Sequence, residues 1–289
     1  MQGTVDGFSY GVVTPLVAYL MACLGGALGL RCTTRSLLVT HSHRPAWLAL
    51  GSAAIGSGIW TMHFVAMMGF TIKEAPIHYD KAITYASLGL AIVMVGVGIF
   101  IVGYRGATGT ALYTGGTITG LGVASMHYLG MAGMHFDGRF TYNTLTVAIS
   151  VVIAVVAATA ALWAAGRVRG FLWSVGASLV MGLAVSGMHY TGMAALHVHL
   201  HGTSGAGAGG GSPASVLAPM LIGPLAFLLI AGVVVVFDPL MVMGRPTATG
   251  IEDKPGVPAA AVASHHVRHP SLHSGGHPVR HDSRTPQNR

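Results

Sequence analysis

Seven stretches of the chain, at 12–30, 46–70, 83–102, 111–134, 145–165, 171–197 and 216–237, contain no Asp, Glu, Lys or Arg. Each has about the 20 residues that a helix needs to cross about 30 Å of hydrocarbon. Within lipid a segment must satisfy its own backbone hydrogen bonds, so the runs are read as helices and the fold class as all-α: a polytopic membrane bundle with seven transmembrane helices. Composition agrees. The chain is 52% hydrophobic and 8% charged, with too few polar residues to clothe a globule in water. Residues 1–11 hold Asp6 and no Lys or Arg, and the run that follows is too long for a signal-peptide core, so the first span is expected to persist. Cys23 and Cys32 offer neither a disulfide framework nor a CxxC motif and are read as packing residues.

Sorting the basic residues by alternate loops gives the expected topology. Arg31, Arg35, Arg44, Arg105, Arg167, Arg169 and the tail from Arg245 fall on one side; Lys73, Lys81 and Arg139 fall on the other. The positive-inside rule then predicts an N-terminus outside the cytoplasmic membrane and a cytoplasmic C-terminus. Trp47, Trp163 and Trp173 mark inner span ends, and Tyr79, Tyr85 and Tyr142 outer ones, as interfacial anchors. The arginines line loop ends and build no basic face, so no nucleic-acid partner is expected. Three segments result: an extracytoplasmic N-terminus at 1–11, a membrane domain at 12–240, and a disordered His-rich tail at 241–289. Pro219 and Pro224 predict a kink in the last span, and Gly202–Ser212 reads as a linker.

One pattern occurs three times. Gly56 to Met67 contains Met62, His63 and Phe64; Gly120 to Met131 contains Met126, His127 and Tyr128; Gly182 to Met193 contains Met188, His189 and Tyr190. The spacing is that of a two-helix hairpin, so the first six spans are expected to be three copies of one unit with parallel orientation. At 1.5 Å per residue the histidines lie about 25 Å from the inner span ends, in the outer third of the bilayer. Each His and the Met four residues later (Met67, Met131, Met193) share a helix face, and Ala66, Gly130 and Gly192 beside them allow close helix approach. Met62, Met126 and Met188 point about 100° away, toward a neighbouring helix.

A lone histidine in an apolar helix commonly serves as an interhelical hydrogen-bond partner. Triplicated ionisable groups in spans point instead to a functional centre, although duplication copies core residues as faithfully as ligands. Imidazole with thioether favours copper, and spans without carboxylates disfavour calcium and magnesium. Haem with His or Met ligands is the competing cofactor. Expected metal ligands are Met62, His63, Met67, Met126, His127, Met131, Met188, His189 and Met193, with Tyr128, Tyr190, His135 and His197 as secondary candidates. His78, His135, His197, His199 and His201 lie outward of the motifs, as an entry path, a second metal site or simply a wet loop. The tail histidines His265, His266, His269, His273, His277 and His281 are interrupted by Pro270, Gly275, Gly276 and Pro278, which oppose a helix that would align them.

Met188-His189-Tyr190-Thr191 spells the signature of the MHYT family of bacterial membrane sensor domains, which the chain resembles over about residues 10–240. The resemblance implies a copper-binding membrane sensor of oxygen, carbon monoxide, nitric oxide or a similar signal. Many members carry a diguanylate cyclase, phosphodiesterase or kinase output domain, and nothing after Arg245 reads as one, which predicts a separate signalling partner. The leading expectation is therefore a non-enzymatic sensor, since no nucleophile–base constellation or carboxylate pair is seen. The alternatives are a copper-handling membrane protein and a haem-bearing redox protein.

Overall fold

The helices form where the uncharged runs lie, and local chemistry sets their ends. In the computed structural model they are α1 (Val13–Ser36), α2 (Arg44–Met68), α3 (Lys81–Arg105), α4 (Gly109–Ala132), α5 (Thr144–Arg167), α6 (Phe171–Ala194) and α7 (Pro213–Val236). Asp80 caps α3, its carboxylate accepting from the Ile83 N–H at 2.9 Å, and Asn143 does the same for α5 through Thr146 at 3.0 Å. Gly106, at φ 89°, stops α3. The structure describes residues 4–7, 9–72, 75–167, 171–200 and 213–238, all within one unit, Met1–Val242. Lys73, Arg169, His201, the 202–212 linker and the tail with its histidines lie outside the described residues.

Six of the helices are long and apolar enough to cross a membrane. The fourth, α4, matches them in length, but Gly115, Gly116, Gly120 and Gly122 and the threonines between and before them dilute its apolarity. Lipid-directed side chains such as Val152 and Val156 on α5 and Leu229 and Ile230 on α7 are exposed, as a multi-pass membrane protein requires.

Each helix from α1 to α6 packs on the next, and α6 returns to α1, closing a ring; α7 lies against α2 and α1. The first glycine of each motif builds this ring. A Cβ on Gly56 would stand 2.8 Å from the Ile92 Cα of α3, one on Gly120 2.4 Å from the Val155 Cα of α5, and one on Gly182 2.5 Å from the Cys23 sulfur of α1. The three motif helices therefore each seat the following odd-numbered helix by the same device, and the third contact is the closure.

The segments expected as outer loops form three antiparallel ribbons. β1 (Val5–Asp6) pairs with β2 (Thr71–Ile72), β3 (His78–Tyr79) with β4 (Met134–His135), and β5 (Gly138–Tyr142) with β6 (Leu196–Leu200). The repeat is thus strand, helix, helix, strand, with each unit's ends tied together. Pairing in β6 takes residues from the sixth run, so its helix stops at Ala194 rather than reaching His197. At the opposite end α1 continues to Ser36 and carries Arg31 and Arg35 inside the helix. The last span runs unbroken through Pro219 and Pro224.

One expected anchor is elsewhere. Tyr79 is buried under the β3–β4 ribbon with its ring against Phe64, and burial pushes its phenol well above the usual range. Tyr85, Trp163 and Trp173 are exposed, as anchors are.

Candidate metal centre

His63, His127 and His189 each stand about one and a half turns before the ribbon end of their helix, on α2, α4 and α6. Ring closure turns these positions toward a common axis. The three imidazoles are buried, each 1% exposed. Their Nδ1 atoms form a triangle: 3.1 Å from His63 to His189, 3.1 Å from His63 to His127, and 3.3 Å from His127 to His189. Ring centroids are 4.9–5.1 Å apart, with planes nearly perpendicular, in a three-bladed propeller.

A triangle of Nδ1 atoms is frustrated as a hydrogen-bond network. Every such nitrogen of a neutral imidazole is either donor or acceptor, so at least one edge always joins like to like. The outward Nε2 atoms give no relief: those of His63 and His127 are buried without a hydrogen-bond partner among the described residues. They rest in cradles on the neighbouring motif helix. A Cβ on Gly130 would lie 2.7 Å from His63 Nε2, and one on Gly192 2.5 Å from His127 Nε2. Glycine at these positions is what lets the rings reach the axis.

The donor set fits a metal ion. The point equidistant from the three nitrogens lies about 1.8–1.9 Å from each, close to the about 2.0–2.1 Å of a metal–imidazole bond. Among the described residues this is the only cluster of three or more His, Cys, Asp or Glu side chains that could hold an ion.

Around the triad, Met62, Met67, Met126, Met131 and Met188 are fully buried and Met193 partly so. The residue after each histidine packs its ring edge-on against it: Phe64 at 4.6 Å, Tyr128 at 4.8 Å and Tyr190 at 4.9 Å. Tyr128 also donates to Ser150 Oγ at 2.6 Å, and that serine donates to the Val147 carbonyl at 2.8 Å. His135 and His197 are not in the triad; they lie exposed on separate ribbons.

Sequence reasoning passed over two supports. Trp60 donates to Ser87 Oγ at 3.0 Å and shares its N–H with the Thr84 carbonyl, tying α2 to α3 beside His63. A tryptophan in mid-span needs such a partner, and that was the available signal. The second is a narrow apolar cavity of about 40 Å³ that begins one turn inward of the triad, where Ile59, Val123 and Val185 meet Ala154, and runs on toward Leu30 and Ala165 near the opposite helix ends.

The family model described as "Bacterial signalling protein N terminal repeat", MHYT, matches residues 56–115 and 120–178, each match starting at the first glycine of a motif, Gly56 or Gly120, ahead of a triad histidine. The chain belongs to the MHYT family. Its MHYT region is 36% identical over 235 residues to the bifunctional diguanylate cyclase/cyclic di-GMP phosphodiesterase MucR of Pseudomonas aeruginosa, covering 80% of this chain and 34% of that protein. It is 35% identical over 208 residues to the cyclic di-GMP phosphodiesterase NbdA of the same organism, covering 68% and 26%. It is 30% identical over 198 residues to the signaling protein YkoW of Bacillus subtilis, covering 66% and 24%. The chain spans about a third or less of the length of these relatives, and no solved structure matches it. The expectation of a non-enzymatic protein is corrected by the first two: MHYT regions like this one belong to enzymes of cyclic di-GMP metabolism, which no catalytic constellation within the membrane spans could have disclosed.

Proposed function

We propose that this MHYT domain is the sensing part of a cyclic di-GMP signalling system in the bacterial cytoplasmic membrane, with copper held by His63, His127 and His189 as its receptor centre. The observation that carries the reading is the convergence of three buried Nδ1 atoms within 3.1–3.3 Å, a geometry awkward for hydrogen bonds and natural for ligands. Imidazole donors with buried methionines nearby suit copper better than harder cations. Copper would supply a redox-active point of attachment for oxygen, carbon monoxide or nitric oxide. The chain's own part is to aim three lone pairs, exclude water and leave the dry cavity below, which is sized for a small apolar molecule. The distribution of basic residues between alternate loops supports a triad near the extracytoplasmic face.

The cyclic di-GMP output follows from what MucR and NbdA are named for, and a change in triad geometry would be relayed to such an enzyme on the cytoplasmic side. A haem centre is disfavoured, since rings 4.9–5.1 Å apart leave no gap for a macrocycle between them. The test is metal analysis with an optical spectrum of the detergent-purified protein and of the His63, His127 and His189 triple alanine variant. Copper bound by the first and absent from the second is the expected result. A Soret band, or equal copper in both, refutes it. Unchanged cellular copper flux in a deletion strain separates sensing from copper handling.

A further inference from the structure

We infer that the β3–β4 ribbon carries a second metal site, formed by His78 and His135, for a borderline divalent cation such as zinc, nickel or copper(II). The two residues are direct partners in the antiparallel register. Cross-strand partners put their side chains on the same ribbon face, with Cβ atoms about 4.5–5.5 Å apart. Burial confirms the common face: both histidines are exposed, while the adjacent pair, Tyr79 and Met134, is buried beneath. Two imidazoles at that spacing can reach one ion with bonds of about 2.0–2.1 Å and leave its other positions to water.

The ribbon also fixes one ligand. His135 Nδ1–H donates to the Gly133 carbonyl at 3.2 Å, the same oxygen that accepts from the Asp80 N–H at 2.8 Å. That bond leaves the His135 lone pair on Nε2, the arrangement that orients metal-binding histidines elsewhere. The neighbouring Asp80 carboxylate is engaged in capping α3. An all-imidazole site excludes calcium and magnesium in favour of borderline ions.

The pair does not follow from the threefold repeat. At the equivalent register Asp6 faces Thr71 in the first ribbon, and Thr141 faces His197 in the third. Only the middle unit opposes two imidazoles, so triplication of a membrane core does not account for them. Both lie outside the spans and do not depend on the triad's role.

Hydrogen exchange on the full-length protein in detergent, read by mass spectrometry with and without zinc chloride, tests the site. At free zinc ten times the binding midpoint, exchange in peptides covering 78–80 and 133–136 slows about tenfold in wild type, because the ion binds only the closed ribbon. His78→Ala and His135→Ala each abolish the slowing, and His197→Ala retains it. Both substituted side chains are exposed, so exchange without zinc stays at wild-type rates and reports that the ribbon is intact. Absence of slowing in wild type, or slowing that survives either substitution, overturns the inference.

Discussion

Replacing His127 with leucine removes one corner of the imidazole triangle and leaves an apolar side chain of similar bulk at a position 1% exposed. If the histidines are a hydrogen-bonded structural knot, the metal-free protein should lose stability. The geometry gives the opposite sign. Three Nδ1 atoms support at most two sound contacts, and a remaining pair supports one, so the substitution forfeits about 0.5–1.5 kcal/mol of hydrogen bonding. It also removes the buried Nε2 that has no partner among the described residues, worth about 1–3 kcal/mol, together with the like-to-like edge. The expected result is metal-free stability equal to wild type or up to about 2 kcal/mol higher, with metal-dependent stabilisation lost. Thermal unfolding in detergent, with a chelator and then with reductant and copper(I), reads both terms. A loss of more than about 2 kcal/mol in the metal-free variant, beside a wild type indifferent to copper, would refute the reasoning.

Four further outcomes follow from single contacts. Gly120→Leu forces a side chain into the Val155 backbone and should cost at least about 1–3 kcal/mol, seen as a lower unfolding temperature; an unchanged temperature would mean that α4 and α5 are not in contact there. Gly130→Ala puts a methyl 2.7 Å from the buried His63 Nε2 and should displace that ring from the axis, weakening copper binding; copper affinity equal to wild type would mean that Gly130 does not set the ring's position. Asp238→Asn leaves the buried Arg35 guanidinium without its ion-pair partner and should destabilise by about 3–5 kcal/mol, an effect reduced when Arg35→Leu is added in a double-mutant cycle. Partial burial pushes the Tyr142 phenol up to about 12, so its contribution to stability is whole below about pH 10 and fades as pH rises toward 12; Tyr142→Phe should remove one late-titrating phenol from the ultraviolet spectrum.

The spans were legible because lipid imposes a length and an uncharged composition, and the triplicated motif fixed which helices are equivalent. The convergence of His63, His127 and His189 was legible as a common depth only. That the rings meet through Nδ1 depends on helix azimuth, which is set by the Gly56, Gly120 and Gly182 contacts with sequence-distant partners. The glycines at 130 and 192 are legible as permitting close helix approach, but not as cradles for the neighbouring imidazole. The ribbons escaped notice for a different reason. Two-residue strands such as Thr71–Ile72 and His78–Tyr79 have no detectable alternation, and their partners lie more than fifty residues away, across a hairpin.

The same contacts make the triad mechanically consequential. The length of each edge of the Nδ1 triangle is coupled to the spacing between two of the helices α2, α4 and α6, because the side chains that span it are short, rigid and buried. At Gly56 and Gly120 the next helix rests backbone against backbone, with no flexible side chain between to absorb a displacement. At Gly182 the helix it seats is α1, whose far end holds Arg35 in its buried pair with Asp238, just past the end of α7. Arg35 also lies over the Trp47 ring of α2, 5.4 Å from its centroid, so the ends of three helices share one cation. A change in ligation that alters the triangle must shift α6 against α1, and the nearest place where that shift meets a charge that cannot be left unpaired is this pair. The Arg35–Asp238 contact is therefore where a signal from the triad should first become visible at the opposite end of the bundle. Cysteine-free variants spin-labelled at exposed Leu38 and Phe237 should show a distance change on copper binding in wild type and none in His127→Leu.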